Sequence, residues 1–203
     1  MYTFWGYFRS SAAYRVRIAL NLKNVAHERE FIHLAKGEQT EKAFKRINPQ
    51  GLVPVLQVTE GDKQHTLIQS LAILEYLEET FPEPALLPKD PLDRARVRAI
   101  AEIVACDIHP LNNLRVLNYL KGPMHQKEEA MRAWYAHWVD TGFEAIEEMV
   151  SGSGFCFGDE PTMADIVLTP QFLTAVRADA DIPPFTPVPP PDDHRHTRPH
   201  PLA

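Results

Sequence analysis

The order in which strand and helix signals follow one another is what most narrows the fold open to this chain. Met1-Tyr2-Thr3-Phe4-Trp5 is a short aromatic and β-branched run, followed by Gly6 and then Ser10-Ser11. Beyond the serines, Ala12, Val16, Ala19 and Leu20 recur at helical spacing, with Arg15 and Arg17 on other faces. Residues His27–His33 alternate weakly, as a second strand would, and Glu38–Ile47 reads as a short helix stopped by Asn48-Pro49. Val53–Val58 and His65–Ile68 flank the turn Glu60-Gly61-Asp62 and predict a hairpin, and Ser70 opens a helix that Pro82 ends. The first 80 residues therefore read as βαβ followed by ββα, a compact α/β unit.

Past Phe81–Pro91, a linker carrying four prolines, no segment competes with helical periodicity. Asp93–Leu120 predicts one long helix, bent if anywhere at His109-Pro110, where a backbone donor is missing. Gln126–Ser151 predicts a second, and Thr162-Met163-Ala164-Asp165 is a capping box opening a third. The expected organisation is an α/β domain over 1–80, a linker over 81–91 and an all-helical domain over 92–182. From Pro183 to Ala203 proline dominates and large apolar residues are scarce, so that segment is expected to be disordered. Its His194, His196 and His200 read as solvated rather than metal-binding.

Charge and cysteine usage remove whole classes of function. With 21 Lys plus Arg against 27 Asp plus Glu, the chain lacks the basic balance a nucleic-acid or anionic-membrane partner wants. No apolar run approaches the roughly 18 residues of a spanning helix, and the N-terminus has no secretory core, which points to the cytoplasm. The two cysteines, Cys106 and Cys156, are too few for a disulfide framework and read as buried free thiols. Without a Cys-x-x-Cys pair, thioredoxin-type redox chemistry is excluded.

Several polar residues sit where they could do chemistry as well as structure. Ser10 and Ser11 fall where the first strand gives way to the first helix; either could cap it, and either could offer a hydroxyl to an anion there. Arg15, four positions after Ser11, shares its helical face and reads as a solvated charge or a cation for the same cleft. Ser70 at a helix start reads as an N-cap or as part of a carboxylate site. Asn113 can share a face with His109, itself a pocket histidine or a buried structural one, while Arg115 points away unless Pro110 distorts the helix. Val53-Pro54 reads as trans on base preference. Thr162, Asp165, Trp5, Trp134 and Trp138 are assigned to structure.

The run Ser10-Ser11-Ala12-Ala13-Tyr14-Arg15-Val16-Arg17-Ile18-Ala19-Leu20 resembles the signature of the zeta class of cytosolic glutathione transferases. So do Asn48-Pro49-Gln50-Gly51-Leu52-Val53-Pro54, Gln69–Leu77 and Gly158–Asp165, and Asp107–Asn113 is similar to bacterial members. The resemblance covers residues 1 to about 182. It implies a thioredoxin-like domain followed by a helical one, glutathione as cofactor, a homodimer, and a small diacid as substrate. The activity it implies is isomerisation of maleylacetoacetate to fumarylacetoacetate in tyrosine and phenylalanine breakdown. The alternatives are the same reaction on maleylpyruvate, or general transfer of glutathione to electrophiles.

For the residues, the resemblance implies Ser10, Ser11 and Arg15 as catalytic. Gln39, Val53 (through a cis Val53-Pro54), Gln69, Ser70, His109 and Asn113 are implied for glutathione, and Arg9, Arg115 and Arg177 for the diacid. Two departures stand out. Ala12 occupies a position where the class often has cysteine, so the nucleophile must be the thiol of glutathione. The class also continues past Asp181 into further helix, and the proline-rich sequence here makes a non-catalytic glutathione-binding module the alternative of another class.

Overall fold

A computed structural model describes residues 1–151 and 154–177; the expected disordered segment 183–203 lies outside the described residues. Strands β1 (Tyr2–Gly6), β2 (Glu28–Phe31), β3 (Val55–Glu60) and β4 (Lys63–Ile68) form a sheet ordered β2-β1-β3-β4. β1 pairs in parallel with β2 across helix α1 (Ser11–Leu22), and antiparallel with β3, which turns into β4. This is the βαβ plus ββα arrangement required by the order of the signals, closed by helix α3 (Ser70–Thr80). Ser10 caps α1, its Oγ accepting from the Ala13 amide at 3.2 Å. The buried stripe of α1 runs through Ala13, Val16, Ala19 and Leu20, so it is displaced by one residue from the expected start at Ala12. Leu20, Leu56, Ile73, Leu74 and Leu77 are fully buried, each contributing roughly 1.5–3 kcal/mol relative to exposure.

The expected helix over Glu38–Ile47 divides. A tight 3₁₀ turn (Glu38–Thr40) precedes helix α2 (Lys42–Ile47), because Glu41 is held extended between them. The expected long helix Asp93–Leu120 also divides. Helix α4 (Pro91–Glu102), capped by Asp90, runs into a π-helical segment (Ile103–Ile108), and helix α5 (Leu114–Lys121) restarts with Asn113 as cap. The π turn closes with the His109 amide on the Val104 carbonyl at 2.9 Å. The chain then breaks at Pro110, which has no amide to continue the ladder. Helices α6 (Glu128–Met149) and α7 (Met163–Arg177) complete the described residues, and α7 packs against both α1 and α4. Asp165 accepts from the Thr162 amide at 2.7 Å and from the Cys156 amide at 2.7 Å, the structural role expected of it. None of the described helices is long and apolar enough to cross a membrane.

One device ties the sheet unit to the helical one, and a second pins the linker onto the sheet unit. Arg98 on α4 grips Glu75 on α3 through two hydrogen bonds of 2.6 and 2.9 Å. Under the linker, the buried Lys23 ammonium donates to Glu78 (2.8 Å) and to the carbonyls of Phe81 (2.6 Å) and Pro84 (2.8 Å). The same Glu78 carboxylate accepts from the amides of Leu86 and Leu87 at 2.9 and 3.1 Å. A buried ion pair of this kind is tolerated because every charge on it is hydrogen-bonded.

Candidate active site

A cavity of about 180 Å³ opens between the two units, walled on one side by loop 48–54 and the start of α3 and on the other by the π segment and the start of α5. Loop 48–54 is shaped by the buried Asn48. Its Nδ2 donates to the Leu52 carbonyl (2.7 Å), and its Oδ1 accepts from the Gln50 amide (3.0 Å). Gly51 is left-handed (φ 64°), and a Cβ there would come within 2.8 Å of the Gln39 carbonyl, so no other residue fits without a shift. The Val53–Pro54 bond is cis, as the resemblance implied, and Val53 lines the cavity.

At the far end of that wall, Ser70 is the first residue of α3 rather than its cap. The cap is Gln69, whose side chain instead donates from Nε2 to Gln50 Oε1 at 2.7 Å. The free amides of the first helical turn carry partial positive charge toward the cavity rim. Ser70 Oγ accepts from Arg15 Nη1 at 3.2 Å. Arg15 is 1% exposed, and its Nε and Nη2 have no hydrogen-bond partner among the described residues. Burial lowers its pKa to about 10, which leaves it cationic near neutrality. The reading of Arg15 as a solvated charge therefore fails: it is a buried cation lining the cavity, with two donors unspent beside a hydroxyl and a helix N-terminus. That set fits a carboxylate.

The opposite wall owes its shape to the broken helix. The π segment turns Ala105, Cys106 and His109 to the cavity, and the restart at Asn113 brings Arg115 to it as well. An unbroken helix would have pointed Arg115 away. Cys106 is exposed, contrary to the expectation of two buried thiols; Cys156 is buried. Burial raises the Cys106 pKa, helped by the carboxylates of Glu102 and Asp107 and opposed by Arg15, so at neutrality it is a thiol. His109 Nδ1 lies 3.1 Å from Ser11 Oγ across the two units, and its Nε2 lies 3.4 Å from Asn113 Nδ2. Burial lowers the His109 pKa to about 3, with the nearby Arg15 and Arg115 cations pushing the same way, so the ring is neutral.

The structure brings together Arg15, Val53, Gln69, Ser70, His109, Asn113 and Arg115 around one cavity. Ser10 and Ser11 are not among the lining residues: Ser10 caps α1, and Ser11, next to the lining residue Ala12, bonds to His109, which does line the cavity. Arg9 is exposed in the turn before α1, and Gln39, in the 3₁₀ turn, is not among the residues that line the cavity; its carbonyl lies beside Gly51. Arg177 closes α7, and its side chain lies outside the described residues. Three further lining residues, Asn48, Gln50 and Cys106, carry no sequence signal for the site: the first two lie in the 48–54 motif but take their roles from bonds within the folded loop, and Cys106 reads from sequence as a buried thiol.

Two family models match the chain: "Glutathione S-transferase, N-terminal domain" over residues 9–80 and "Glutathione S-transferase, C-terminal domain" over 128–198. A maleylacetoacetate isomerase of Pseudomonas aeruginosa is 50% identical over 173 residues, covering 84% of this chain and 80% of the relative. Among solved structures, the holo form of a bacterial zeta-class maleylpyruvate isomerase superposes with a TM-score of 0.85 at 45% identity, covering 92% of this chain and 88% of that one. The maleylacetoacetate isomerase of Anaeromyxobacter dehalogenans, with glutathione bound in its active site, gives 0.80 at 42% identity over 89% and 83%.

Proposed function

The chain belongs to the glutathione S-transferase family, zeta class, and from that premise we propose that it is a glutathione-dependent cis–trans isomerase converting maleylacetoacetate to fumarylacetoacetate. The observation that carries this reading is a cavity lined by two separate cations: Arg15 beside Ser70 and the α3 N-terminus, and Arg115 at the start of α5. The first suits the glutamyl carboxylate of glutathione, and the second suits a carboxylate of a diacid.

The chemistry is addition and elimination. The glutathione sulfur, as thiolate, forms a C–S bond to one alkene carbon of the enediketone, and the π electron pair moves onto the conjugated carbonyl as an enolate. The former double bond, now single, rotates. The enolate pair returns, the C–S bond breaks, and the trans alkene and the thiolate are regenerated. A thiol of pKa near 8.5 must be held as thiolate, and lowering it by about two units takes roughly 2.7 kcal/mol of preferential stabilisation. The hydroxyls of Ser10 and Ser11 at the start of α1, with the positive end of that helix, are assigned this task.

Ser70, Gln69, the Val53 backbone and Gln39 are assigned to hold the peptide, with His109 and Asn113 closing over it. Arg115, Arg9 and Arg177 are assigned to the diacid. Ala12 removes the thiol from that position, and the thiol that does line the cavity, Cys106, is held protonated by desolvation and by Glu102 and Asp107, which leaves glutathione as the nucleophile. We further assign the protein to tyrosine and phenylalanine breakdown in the cytoplasm, as a homodimer; a monomer by light scattering at micromolar concentration would refute the last point.

Maleylpyruvate is the second reading, favoured by the likeness to the maleylpyruvate isomerase structure. The deciding experiment measures turnover of both substrates with and without glutathione. Turnover that vanishes when glutathione is dialysed away, and that is faster on maleylacetoacetate, is the expected result. Turnover that persists without glutathione refutes the mechanism, and failure on both substrates leaves a glutathione-binding module.

A further inference from the structure

A chain of hydrogen bonds running from the cap of α5 to the start of α1 fixes the direction of one hydroxyl. Asn113 Oδ1 is the acceptor that caps α5, taking the Arg115 amide at 3.1 Å. That settles which way the amide lies: Nδ2 is the atom facing His109 Nε2 at 3.4 Å, and it can only donate. A nitrogen that receives a proton donor must carry a lone pair, so Nε2 is bare. In a neutral imidazole the proton then sits on Nδ1, the atom 3.1 Å from Ser11 Oγ. Ser11 Oγ is thus an acceptor in this bond, and its own proton is free for a third atom. With the other tautomer, Ser11 would donate to the ring and offer only lone pairs, which repel an anion.

We propose that His109 is a positioning residue for the glutathione thiolate, acting through Ser11: it donates from Nδ1 to Ser11 Oγ, and so commits the Ser11 proton to the sulfur, while Asn113 locks the tautomer. The proposal rests on the function given above and adds a division of labour within it. Arg15 and Arg115, the charges facing the ring, oppose its protonation and keep it in the neutral form that the relay needs. The arrangement spans 98 positions of sequence and both structural units, so the hydroxyl is aimed only when the helical unit is docked.

The test reads the pKa of the bound glutathione thiol from its ultraviolet thiolate absorbance, in the full-length protein. His109→Leu removes the donor and should raise that pKa by about half to one unit, cutting the thiolate fraction near neutrality by roughly 1.5- to 3-fold. His109→Asn, whose Nδ2 stands close to where the imidazole Nδ1 stood, should restore most of it. In a Ser11→Ala background, His109→Leu should add no further shift, whereas in a Ser10→Ala background its effect should remain. An unchanged thiol pKa, with or without a rise in the glutathione Kd, would overturn the proposal. So would equal effects of His109→Leu in both serine backgrounds. Nitrogen-15 NMR of the unmutated protein, which needs no variant to fold, should show His109 protonated at Nδ1 and bare at Nε2; the opposite tautomer, or an imidazolium at neutral pH, also overturns it. A normal thiol shift without isomerase turnover would sink the proposed function and leave this inference standing; no binding of glutathione at all would sink both.

Discussion

Replacing Ser70 by alanine strikes the cavity in two separable ways. In the free protein, Ser70 Oγ is the only hydrogen-bond partner of the Arg15 guanidinium among the described residues, and that guanidinium belongs to a residue 1% exposed. Removing it strands a buried cation, at a cost of about 1–3 kcal/mol. For a domain of this size that lowers the Tm by roughly 2–12 °C, at about 2–4 °C per kcal/mol. No capping loss is added, because Gln69, not Ser70, caps α3. In the complex, a charge-assisted hydrogen bond to the glutamyl carboxylate disappears, worth about 1.5–3 kcal/mol, so the glutathione Kd should rise roughly 10- to 150-fold. Binding should persist, since the α3 amides and Arg15 remain. Calorimetric titration with glutathione, beside thermal melts of the free protein, measures both effects, and Ser70→Thr, which keeps the hydroxyl, should recover most of each. An unchanged Kd with a lowered Tm would leave Ser70 a structural partner of Arg15 alone. No change in either would refute the whole anion-site reading.

Three further outcomes are expected. Gly142 on α6 lies against Ile108, the last residue of the π segment, so closely that a Cβ would overlap the Ile108 side chain. Gly142→Ala, which would stabilise a free helix by about 1 kcal/mol, should instead lower the Tm and, by shifting the neighbouring His109, cut turnover about tenfold; a raised Tm would refute the packing argument. Because the folded pKa of His109, about 3, lies below its unfolded value near 6.5, the unfolded chain binds the extra proton between those limits. The contribution is therefore fully present above pH 6.5 and lost as pH falls toward 3, with a slope of up to about 1.4 kcal/mol per unit. Urea melts at several pH values should show that slope shrinking in His109→Asn, and identical slopes would disprove it. Finally, a thiol-alkylating reagent should modify Cys106, slowly, and leave Cys156 untouched, with glutathione protecting Cys106. Mass spectrometry reads the sites, and preferential labelling of Cys156 would contradict the exposure of Cys106 and the burial of Cys156.

The sheet and α1 were legible because their signals are local: alternation, an N-cap serine and an apolar stripe all lie within about a dozen residues. The start of α3 misled in a subtle way. A serine at a helix start usually caps, but Gln69 with its φ of 71° takes the cap position, and Ser70 turns to an arginine 55 positions away. Burial of Arg15 was likewise beyond periodicity, since what covers it comes from other elements. The broken helix left clearer traces in Pro110 and in Asn112-Asn113, turn-forming residues set just before the apolar start of α5. Weighing those over the continuing apolar spacing would have placed Arg115 at the cavity, and with it the exposed Cys106 on the distorted segment.

The clasp beneath the linker is blind to side chains. Lys23 and Glu78 recognise only peptide groups, two carbonyls and two amides, and every residue type supplies a carbonyl. The exposed side chains of Glu83 and Ala85 can therefore drift through neutral substitution while the spacing of the two units is inherited unchanged. Residues 86 and 87 are less free: both are buried leucines, and proline at either would also delete an amide the carboxylate holds. Lys23 and Glu78 are bound to one another in a different sense: either alone leaves an unpaired charge in the interior, so across descendants of this sequence they should be replaced together or not at all.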